Sequence, residues 1–281
     1  MFIIKMWYVI MNKKEAFREE TKMQLKRFKL TGGGMLTVYL RDASDRMPHA
    51  KKRPMILVIP GGGYAHISPR EGDPVAMQFA AAGYHTAVLE YAIGRQARNY
   101  LPLRQTAQAI ALVRHYADEW NVLPHKIAVC GFSAGGHLAL SSAVLDLPGV
   151  EHQPRPDAVI LGYPVITAGS YAHRGSFVQL AGSRDRAAQQ RFTLEDKITP
   201  KTPPVFVWHT MEDESVPVEN TLMLLAALRR ANVPCEAHLF EKGCHGTSIS
   251  TAEVDAADPH RAHWVELAVE WLNETFEFHL E

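Results

Sequence analysis

A serine enclosed by glycines is the residue of this sequence with the clearest chemical potential. It lies at the centre of Gly131-Phe132-Ser133-Ala134-Gly135, after the apolar run K-I-A-V-C and before the stretch G-H-L-A-L-S-S-A. Glycines two positions before and after leave room for a sharp strand-to-helix turn that exposes the serine oxygen. The N–H groups and positive dipole end of the following helix would face the reacting oxygen. The pattern therefore predicts that Ser133 is a nucleophile.

A run of glycines upstream offers hydrogen-bond donors to the same reaction. Pro60-Gly61-Gly62-Gly63-Tyr64 directly follows the apolar run P-M-I-L-V-I, and its glycines allow the backbone to fold back and expose N–H groups. Such donors hold the oxyanion that forms when a nucleophile attacks a carbonyl carbon. A phosphate loop would need G-K-[ST] or a G-x-G-x-x-G frame, and neither stands here. We therefore expect the N–H groups of Gly62, Gly63 and Ala134 to form an oxyanion hole.

Acidic residues and a histidine follow in the order that would complete a catalytic triad. Glu212, Asp213 and Glu214 come soon after the apolar run V-F-V-W, and any of them could orient an imidazole. His245 has glycines on both sides in K-G-C-H-G, which let a loop carry the ring over a sheet edge. The order serine, acid, histidine differs from both protease orders. These residues predict acyl transfer with the histidine as base.

Bringing these groups together requires a mostly parallel sheet whose carboxyl ends meet at one edge. Short runs rich in Val, Ile and Leu alternate with helical stretches, which predicts an α/β fold. The runs M-I-L-V-I, K-I-A-V-C and V-F-V-W lack polar alternation, as strands buried on both faces do. The predicted strands are Met35–Arg41, Pro54–Ile59, His85–Tyr91, Lys126–Cys130, Ala158–Gly162, Val205–His209 and Glu236–Phe240. The predicted helices are Asp73–Ala82, Leu103–Glu119, Ala134–Val144, Val218–Ala231 and Pro259–Phe276.

Two segments depart from this alternation. Gln24–Arg41 carries T-G-G-G in its middle, which predicts an antiparallel hairpin that opens the sheet. Pro164–Pro204 fits neither strand nor helix, and connections of this length are often lids or binding loops, although a surface insertion without function is the alternative.

With these motifs the sequence resembles the α/β-hydrolase superfamily, in its small bacterial branch of acetyl-xylan-esterase-like and lipase/esterase-like proteins. The resemblance covers about residues 35–276. Its most specific motifs are I-P-G-G-G-Y, R-E-G-D-P-V-A, G-F-S-A-G-G-H-L-A, L-E-D-K-I-T-P-K-T-P-P-V-F-V-W-H-T, D-E-S-V-P-V-E-N and E-K-G-C-H-G. Pro60 stands where the usual lipase and esterase loop, H-G-G-G, has its histidine.

The resemblance implies an α/β-hydrolase fold. Its mostly parallel central sheet would have about eight strands, with helices on both faces and a modest loop or cap insertion at about residues 164–204. We expect one such domain over residues 1–281, with residues 1–23 as an N-terminal extension to which no role is assigned.

The resemblance also implies hydrolysis of carboxylic esters with short acyl groups, extending to acetylated sugars, through an acyl-enzyme and without metal or organic cofactor. Because D-x-x-V-P recurs at this point in the family, Asp213 is favoured as the acid beside Ser133 and His245. Residues near the glycine loop and in the long insertion are candidates for contact with substrate. They are Tyr64, His66, Ser68 and His173.

Two alternatives stay open beside the esterase. One keeps the triad and changes the bond, as in a peptidase or an aryl-formamide hydrolase. The other is a non-catalytic binding protein with a hydrolase fold.

The composition limits the classes of partner that we expect this protein to bind. The 281 residues carry 30 basic and 30 acidic side chains, a balance that argues against nucleic acid and against an anionic membrane surface. We expect a small-molecule ester as partner, no nucleic acid and no membrane, and a homodimer stays open as the assembly. The three cysteines are Cys130, Cys235 and Cys244, and this low odd count predicts a reducing compartment and a cytoplasmic location.

The first ten residues, M-F-I-I-K-M-W-Y-V-I, are apolar except for Lys5. The run is shorter than the roughly 20 residues that span a bilayer and lacks the basic start of a signal peptide. We interpret it as a strand or as an upstream extension, with Met11 as an alternative start.

Overall fold

One sheet of eight strands organises residues 23–280, the part of the chain that the computed structural model describes. The strands are β1 (Gln24–Lys29), β2 (Met35–Leu40), β3 (Arg53–Ile59), β4 (His85–Glu90), β5 (Val122–Phe132), β6 (Ala158–Gly162), β7 (Val205–Thr210) and β8 (Cys235–Phe240). Their order across the sheet is β1-β2-β4-β3-β5-β6-β7-β8. Residues 1–22 and Glu281 lie outside the described part, and with them the apolar N-terminal run and the start proposed at Met11.

The mostly parallel α/β sheet predicted from the sequence is confirmed. β2 pairs antiparallel with β1 and β4, and the remaining neighbours are parallel. The predicted hairpin joins β1 to β2, and Gly32 in its turn has a φ of 72°, which favours glycine. Every residue of β3, β6 and β7 is buried, because their continuous apolar runs face helices on both sides.

The helices pack on both faces of this sheet. They are α1 (Asp73–Ala81), α2 (Leu101–His115), α3 (Ala134–Val144), α4 (Arg174–Ala181), α5 (Arg186–Gln190), α6 (Glu219–Arg230), α7 (Pro259–Ala262) and α8 (Trp264–Phe276). Alternate side chains of β3 face the two hydrophobic clusters that lie on opposite faces of the sheet. Leu57 faces the cluster that includes α2, α3 and α6, whereas Ile56 and Val58 face the cluster that includes α1 and α8. No helix within residues 23–280 is long and apolar enough to cross a membrane.

Two predicted helices end differently in the structure. α2 stops at His115 instead of Glu119, because the indole of Trp120 stacks on Tyr116 at 4.8 Å and the chain turns into β5. The N–H of Val122 closes this turn on the carbonyl of Ala117. The last predicted helix is divided at His263 into α7 and α8.

The long segment 164–204 contains helices that its sequence pattern did not predict. The Asp185 carboxylate caps α5 by accepting the N–H groups of Ala187 and Ala188, and Gly182 ends α4 with a φ of 65°. The carboxamide oxygen of the buried Asn220 accepts the N–H groups of Ile166 and Thr167, which ties the start of the segment to α6. Short capped turns of this kind have too little apolar periodicity to be recognised from sequence.

Candidate active site

Three loops at the carboxyl edge of the sheet bring the predicted triad together. Ser133 follows β5, Asp213 follows β7 and His245 follows β8, and these strands run parallel. The imidazole Nε2 of His245 lies 2.8 Å from the hydroxyl of Ser133, and its Nδ1 lies 2.6 Å from the Asp213 carboxylate. A serine, an imidazole and a carboxylate thus form one hydrogen-bonded chain. In that chain Nδ1–H donates to the carboxylate and Nε2 accepts from the serine.

The turn that carries Ser133 is strained and depends on its glycines. Ser133 has φ 53° and ψ −120°, a conformation that side chains rarely adopt. A Cβ at Gly131 would lie 2.3 Å from the carbonyl oxygen of Gly135, and a Cβ at Gly135 would lie 2.1 Å from that of Ile59. Both glycines are therefore required by close backbone approach. Strain of this kind is held at functional sites by the packing around it.

Asp213 is the acid of the three that reaches the imidazole. Its second carboxylate oxygen accepts the N–H groups of Ser215 and Val216, and the residue is only 5% exposed. Glu212 instead accepts the N–H of Gly243, and the side chain of Glu214 is exposed. The loop around the acid therefore aims one oxygen at the backbone and the other at His245.

His209, at the end of β7, supports this carboxylate. Its ring nitrogen Nε2 lies 2.9 Å from the Val216 carbonyl and 3.3 Å from Asp213. Burial alone would raise the pKa of Asp213, but hydrogen bonds from His209 and His245 outweigh it and hold that pKa well below its usual range. The carboxylate stays ionised, as a group that must stabilise an imidazolium requires.

The lowered pKa of Asp213 predicts a loss of stability in acid. A carboxyl whose pKa is lower in the folded than in the unfolded chain contributes stability that is present above its unfolded pKa, about 3.9. That stability is lost as the pH falls through the folded value. We expect Asp213→Asn to flatten the fall in unfolding free energy between about pH 5 and pH 3, measured by urea titration. The exposed Asp255→Asn is the control, and parallel curves for wild type and Asp213→Asn would contradict the assignment.

The glycine loop presents free donors beside the serine. Gly62 and Gly63 have φ values of 122° and 65°, and a Cβ at Gly62 would lie 2.1 Å from the carbonyl oxygen of His66. Within residues 23–280 no hydrogen bond uses the N–H groups of Gly62, Gly63 or Ala134. The loop is held instead through the Gly62 carbonyl, which accepts the N–H groups of Ala65 and His66. These free N–H groups have the chemistry that an oxyanion hole needs.

A cavity of about 370 Å³ opens over Ser133 and His245. Three of the four residues expected to contact substrate, His66, Ser68 and His173, line it. The imidazole Nδ1 of His173 lies 2.8 Å from the Ser176 hydroxyl, and burial, followed by the charge of His245, lowers its pKa.

Tyr64 does not line this cavity, contrary to the expectation from its position. The residue is 1% exposed, and its hydroxyl lies 2.9 Å from Nδ1 of the buried His137. A positive φ of 58° turns its side chain under the glycine loop, where it packs against Tyr91. Tyr64 therefore supports the loop from below.

Glu71, to which the sequence motifs assigned no role, lines the same cavity as Ser133. Glu71 is 3% exposed; one of its oxygens accepts the N–H of Gly61 at 2.8 Å and the other accepts the Tyr163 hydroxyl at 2.6 Å. The Tyr163 hydroxyl in turn accepts the N–H of Ser248, and its ring lies edge-on to His245 at 4.9 Å. Glu71 thus connects the glycine loop to Tyr163, whose ring contacts the imidazole of His245. The signal that could have revealed it is the motif R-E-G-D-P-V-A.

We expect Glu71→Gln and Tyr163→Phe each to lower kcat/KM by about tenfold to a hundredfold. Either change removes a buried hydrogen bond to a charged group, worth about 1.5–3 kcal/mol. Steady-state kinetics on a nitrophenyl ester measure this loss, and the exposed Glu253→Gln serves as control. Because both residues act through one network, the double variant should lose less than the product of the two single losses. Unchanged turnover in Glu71→Gln would refute the positioning role.

Metal ligands are not gathered in this part of the chain. Between residues 23 and 280 there is no group of three or more His, Cys, Asp or Glu side chains placed to hold a metal ion.

The BD-FAE family profile matches residues 42–152, which include the glycine loop and the turn around Ser133. Among solved structures, the acetyl ester-xyloside bifunctional hydrolase from Caldicellulosiruptor lactoaceticus has 34% identity and a TM-score of 0.78. That match covers 89% of this chain and 90% of the other. The carboxylesterase Cest-2923 from Lactobacillus plantarum WCFS1 has 30% identity and a TM-score of 0.81, with 92% of this chain and 99% of the other covered.

A similar relative among curated proteins is endo-1,4-beta-xylanase B from Butyrivibrio fibrisolvens, 37% identical over 213 residues. The match covers 72% of this chain and 34% of that protein. The chain spans 34% to 49% of the length of the curated relatives that it matches. The two solved hydrolases, by contrast, match over nearly their whole length, and with the eight-stranded sheet they show that this chain belongs to the α/β-hydrolase esterase family.

Proposed function

We propose that this protein is a serine carboxylesterase that hydrolyses esters of short acyl groups, with acetylated sugars as its substrate class. The observation that carries the proposal is the unbroken hydrogen-bonded chain from Ser133 through His245 to Asp213. It lies under a cavity that Gly62 and Gly63 also line, and no hydrogen bond within residues 23–280 uses the N–H groups of these two glycines. Nucleophile, base, orienting acid and oxyanion donors therefore meet at one point, as acyl transfer requires.

The first half of the reaction forms an acyl-enzyme. His245 takes the proton of the Ser133 hydroxyl while the serine oxygen bonds to the ester carbonyl carbon, and the carbonyl electron pair moves onto its oxygen. The N–H groups of Gly62, Gly63 and Ala134 hold that oxyanion; loss of one such donor typically costs about 2.7–4 kcal/mol. When the carbonyl reforms, the bond to the leaving alcohol breaks and the alcohol oxygen takes the proton from His245.

Water completes the cycle by the same route. His245 takes a proton from the water as its oxygen attacks the acyl carbon, and the acid leaves when the bond to Ser133 breaks. Asp213 stabilises the imidazolium in both halves, and its low pKa suits it to that role.

The cavity supports a short acyl group and a polar leaving group. Its volume of about 370 Å³ lies at the small end of ligand pockets, about 300–1,000 Å³. Its lining includes the polar side chains of Ser68, Arg70, Gln179 and Ser215, which can form hydrogen bonds with the hydroxyls of a sugar. Of the matched proteins, one is named as a xylanase and another as a bifunctional hydrolase of acetyl esters and xylosides, which favours the same class.

Initial rates on a nitrophenyl ester series from acetyl to dodecanoyl, followed by acetylated xylo-oligosaccharides, test the proposal. We expect kcat/KM to be highest for acetyl, because the cavity over Ser133 is small for a ligand pocket. Release of acetate from the oligosaccharides is the second expected result. A preference for dodecanoyl esters would overturn the short-acyl assignment.

The alternatives predict other outcomes. A peptidase or aryl-formamide hydrolase would turn over amides or formamides faster than esters in a matched panel. A non-catalytic binding protein would fail to react with a fluorophosphonate probe. The intact triad supports the esterase over the last of these, because a binding protein has no need of an oriented imidazole.

A further inference from the structure

A basic cavity lies at the end of the sheet opposite to the active site. It has a volume of about 610 Å³ and contains the first residue of β3, Arg53. β3 runs from this cavity to the glycine loop, a length of about 20 Å at the rise of a strand. Arg41, Arg46 and His49 also line the cavity, and the described residues that line it include no aspartate or glutamate. The side chains that line the cavity therefore carry positive charge, and no acidic side chain among these described residues balances it.

Arg53 is the most unusual member of this lining. It is 2% exposed, and its Nη1 donates to the carbonyl of Gly83 at 2.6 Å. Its Nε is buried with no hydrogen-bond partner, and the guanidinium forms no ion pair with a carboxylate in residues 23–280. Burying a charged group without a partner is costly, so buried charges are normally paired. The cavity beside Arg53 is where a counter-charge can lie.

The guanidinium of Arg41 adds to the free-energy cost of burying the charge of Arg53. Arg41 donates to the carbonyls of Ala80 and Ala81 at the end of α1. Burial, followed by the charge of Arg41, lowers the pKa of Arg53. The neighbouring His85 is no counter-charge, because an imidazole is either neutral or positive; its Nδ1 accepts the backbone N–H of Arg41, and burial, followed by the charges of Arg53 and Arg41, lowers its pKa to about 4. Two like charges thus line one cavity, one on the residue that follows β2 and the other on the first residue of β3.

We propose that this cavity binds a small anion with several oxygens, a carboxylate or phosphate compound, between Arg41, Arg46 and Arg53. Guanidinium groups present paired N–H donors whose spacing matches carboxylate and phosphate oxygens. Asn273 adds an amide donor, because its carbonyl oxygen already accepts the Tyr84 hydroxyl and its NH₂ donates to no group within residues 23–280. The volume suits a small organic anion as well as an inorganic one.

Isothermal titration of the whole chain with inorganic phosphate and, separately, with citrate tests this site. Ionic strength is held constant, so that general screening does not change between injections. We expect saturable binding at one site per chain for at least one probe. Binding of phosphate alone, of citrate alone or of both probes would show which chemical group the site recognises. Arg41→Gln and Arg46→Gln should each weaken binding at least about tenfold, because each removes a charge-assisted donor pair.

Arg230→Gln is the matched control, since Arg230 is an exposed arginine at the end of α6, outside the cavity. Arg53 is left unchanged in this series, because removing a buried side chain would also alter folding. Absence of saturable heat with both probes would overturn the site, and so would an equal loss of affinity in Arg230→Gln. Ester hydrolysis by Arg46→Gln should equal that of wild type, so the outcome does not depend on the proposed esterase activity.

Discussion

Replacing Ser133 with alanine is expected to abolish ester hydrolysis while leaving the fold intact. The change removes the hydroxyl that lies 2.8 Å from Nε2 of His245, and with it the oxygen that forms the acyl-enzyme in the proposed reaction. Loss of a triad serine typically lowers kcat by about four to six orders of magnitude. Alanine can take the same strained conformation at this turn, so the melting temperature should change little. Nitrophenyl acetate kinetics and thermal unfolding measure the two quantities.

Ser170→Ala is the control for this experiment, because Ser170 is exposed and lies away from the cavity. A fluorophosphonate probe adds a direct readout, since it should label wild type and the control but not Ser133→Ala. Turnover of the ester by Ser133→Ala at a tenth of the wild-type rate or more would show that another residue is the nucleophile.

Replacing Asp213 with asparagine should lower kcat by about 10⁴-fold through the tautomer of His245. One carboxylate oxygen accepts two backbone N–H groups, from Ser215 and Val216, so the amide oxygen of the new side chain would take that place. Its NH₂ would then face Nδ1 of His245 and donate to it. The ring proton would move to Nε2, where it blocks acceptance of the serine proton. The same kinetic assay on nitrophenyl acetate measures the loss.

Glu212→Gln and Glu214→Gln are the matched controls, since both acids flank Asp213 in the chain. Glutamine at 212 can still accept the N–H of Gly243, and Glu214 points to solvent, so both variants should retain near wild-type rates. If either neighbour costs more activity than Asp213→Asn, the assignment of the acid is wrong. Chemical shifts of the imidazole protons would report the tautomer change independently of turnover.

The distance between the two sites explains why they can be tested separately. The triad lies at the carboxyl ends of β5, β7 and β8, whereas the basic cavity lies at the amino end of β3. Arg46 is exposed and does not line the ester cavity, so we expect changes there to leave the glycine loop and the acid loop as they are. An anion that binds there would stabilise the folded chain by mass action without entering the ester cavity.

The turn around Ser133 could be predicted from sequence because its requirements are local. The backbone approach of 2.3 Å between a Cβ at Gly131 and the Gly135 carbonyl admits only glycine, and the apolar strand and helix on either side are written in consecutive residues. The same holds for β3 and β7, whose uninterrupted apolar runs are buried on both faces. Local crowding and hydrophobic pattern can be predicted because both depend on residues that are neighbours in the sequence.

The tertiary structure decided which way side chains point. The residues alone left three adjacent acids as candidates for the triad acid. Packing of the loop after β7 against the loop after β8 placed Asp213 against His245. Tyr64, next to the glycine loop in sequence, is turned into the core, whereas Glu71 holds the N–H of Gly61 and lines the cavity over Ser133.

By itself the sequence therefore determined the alternating strands and helices, the serine turn, the glycine loop and the order of the triad, because each follows from neighbouring residues. The orientation of the acid, the contact between Glu71 and Tyr163 and the helices of segment 164–204 were decided only in the folded chain. These features depend on contacts between residues far apart in sequence, whose geometry arises when the separate elements pack together.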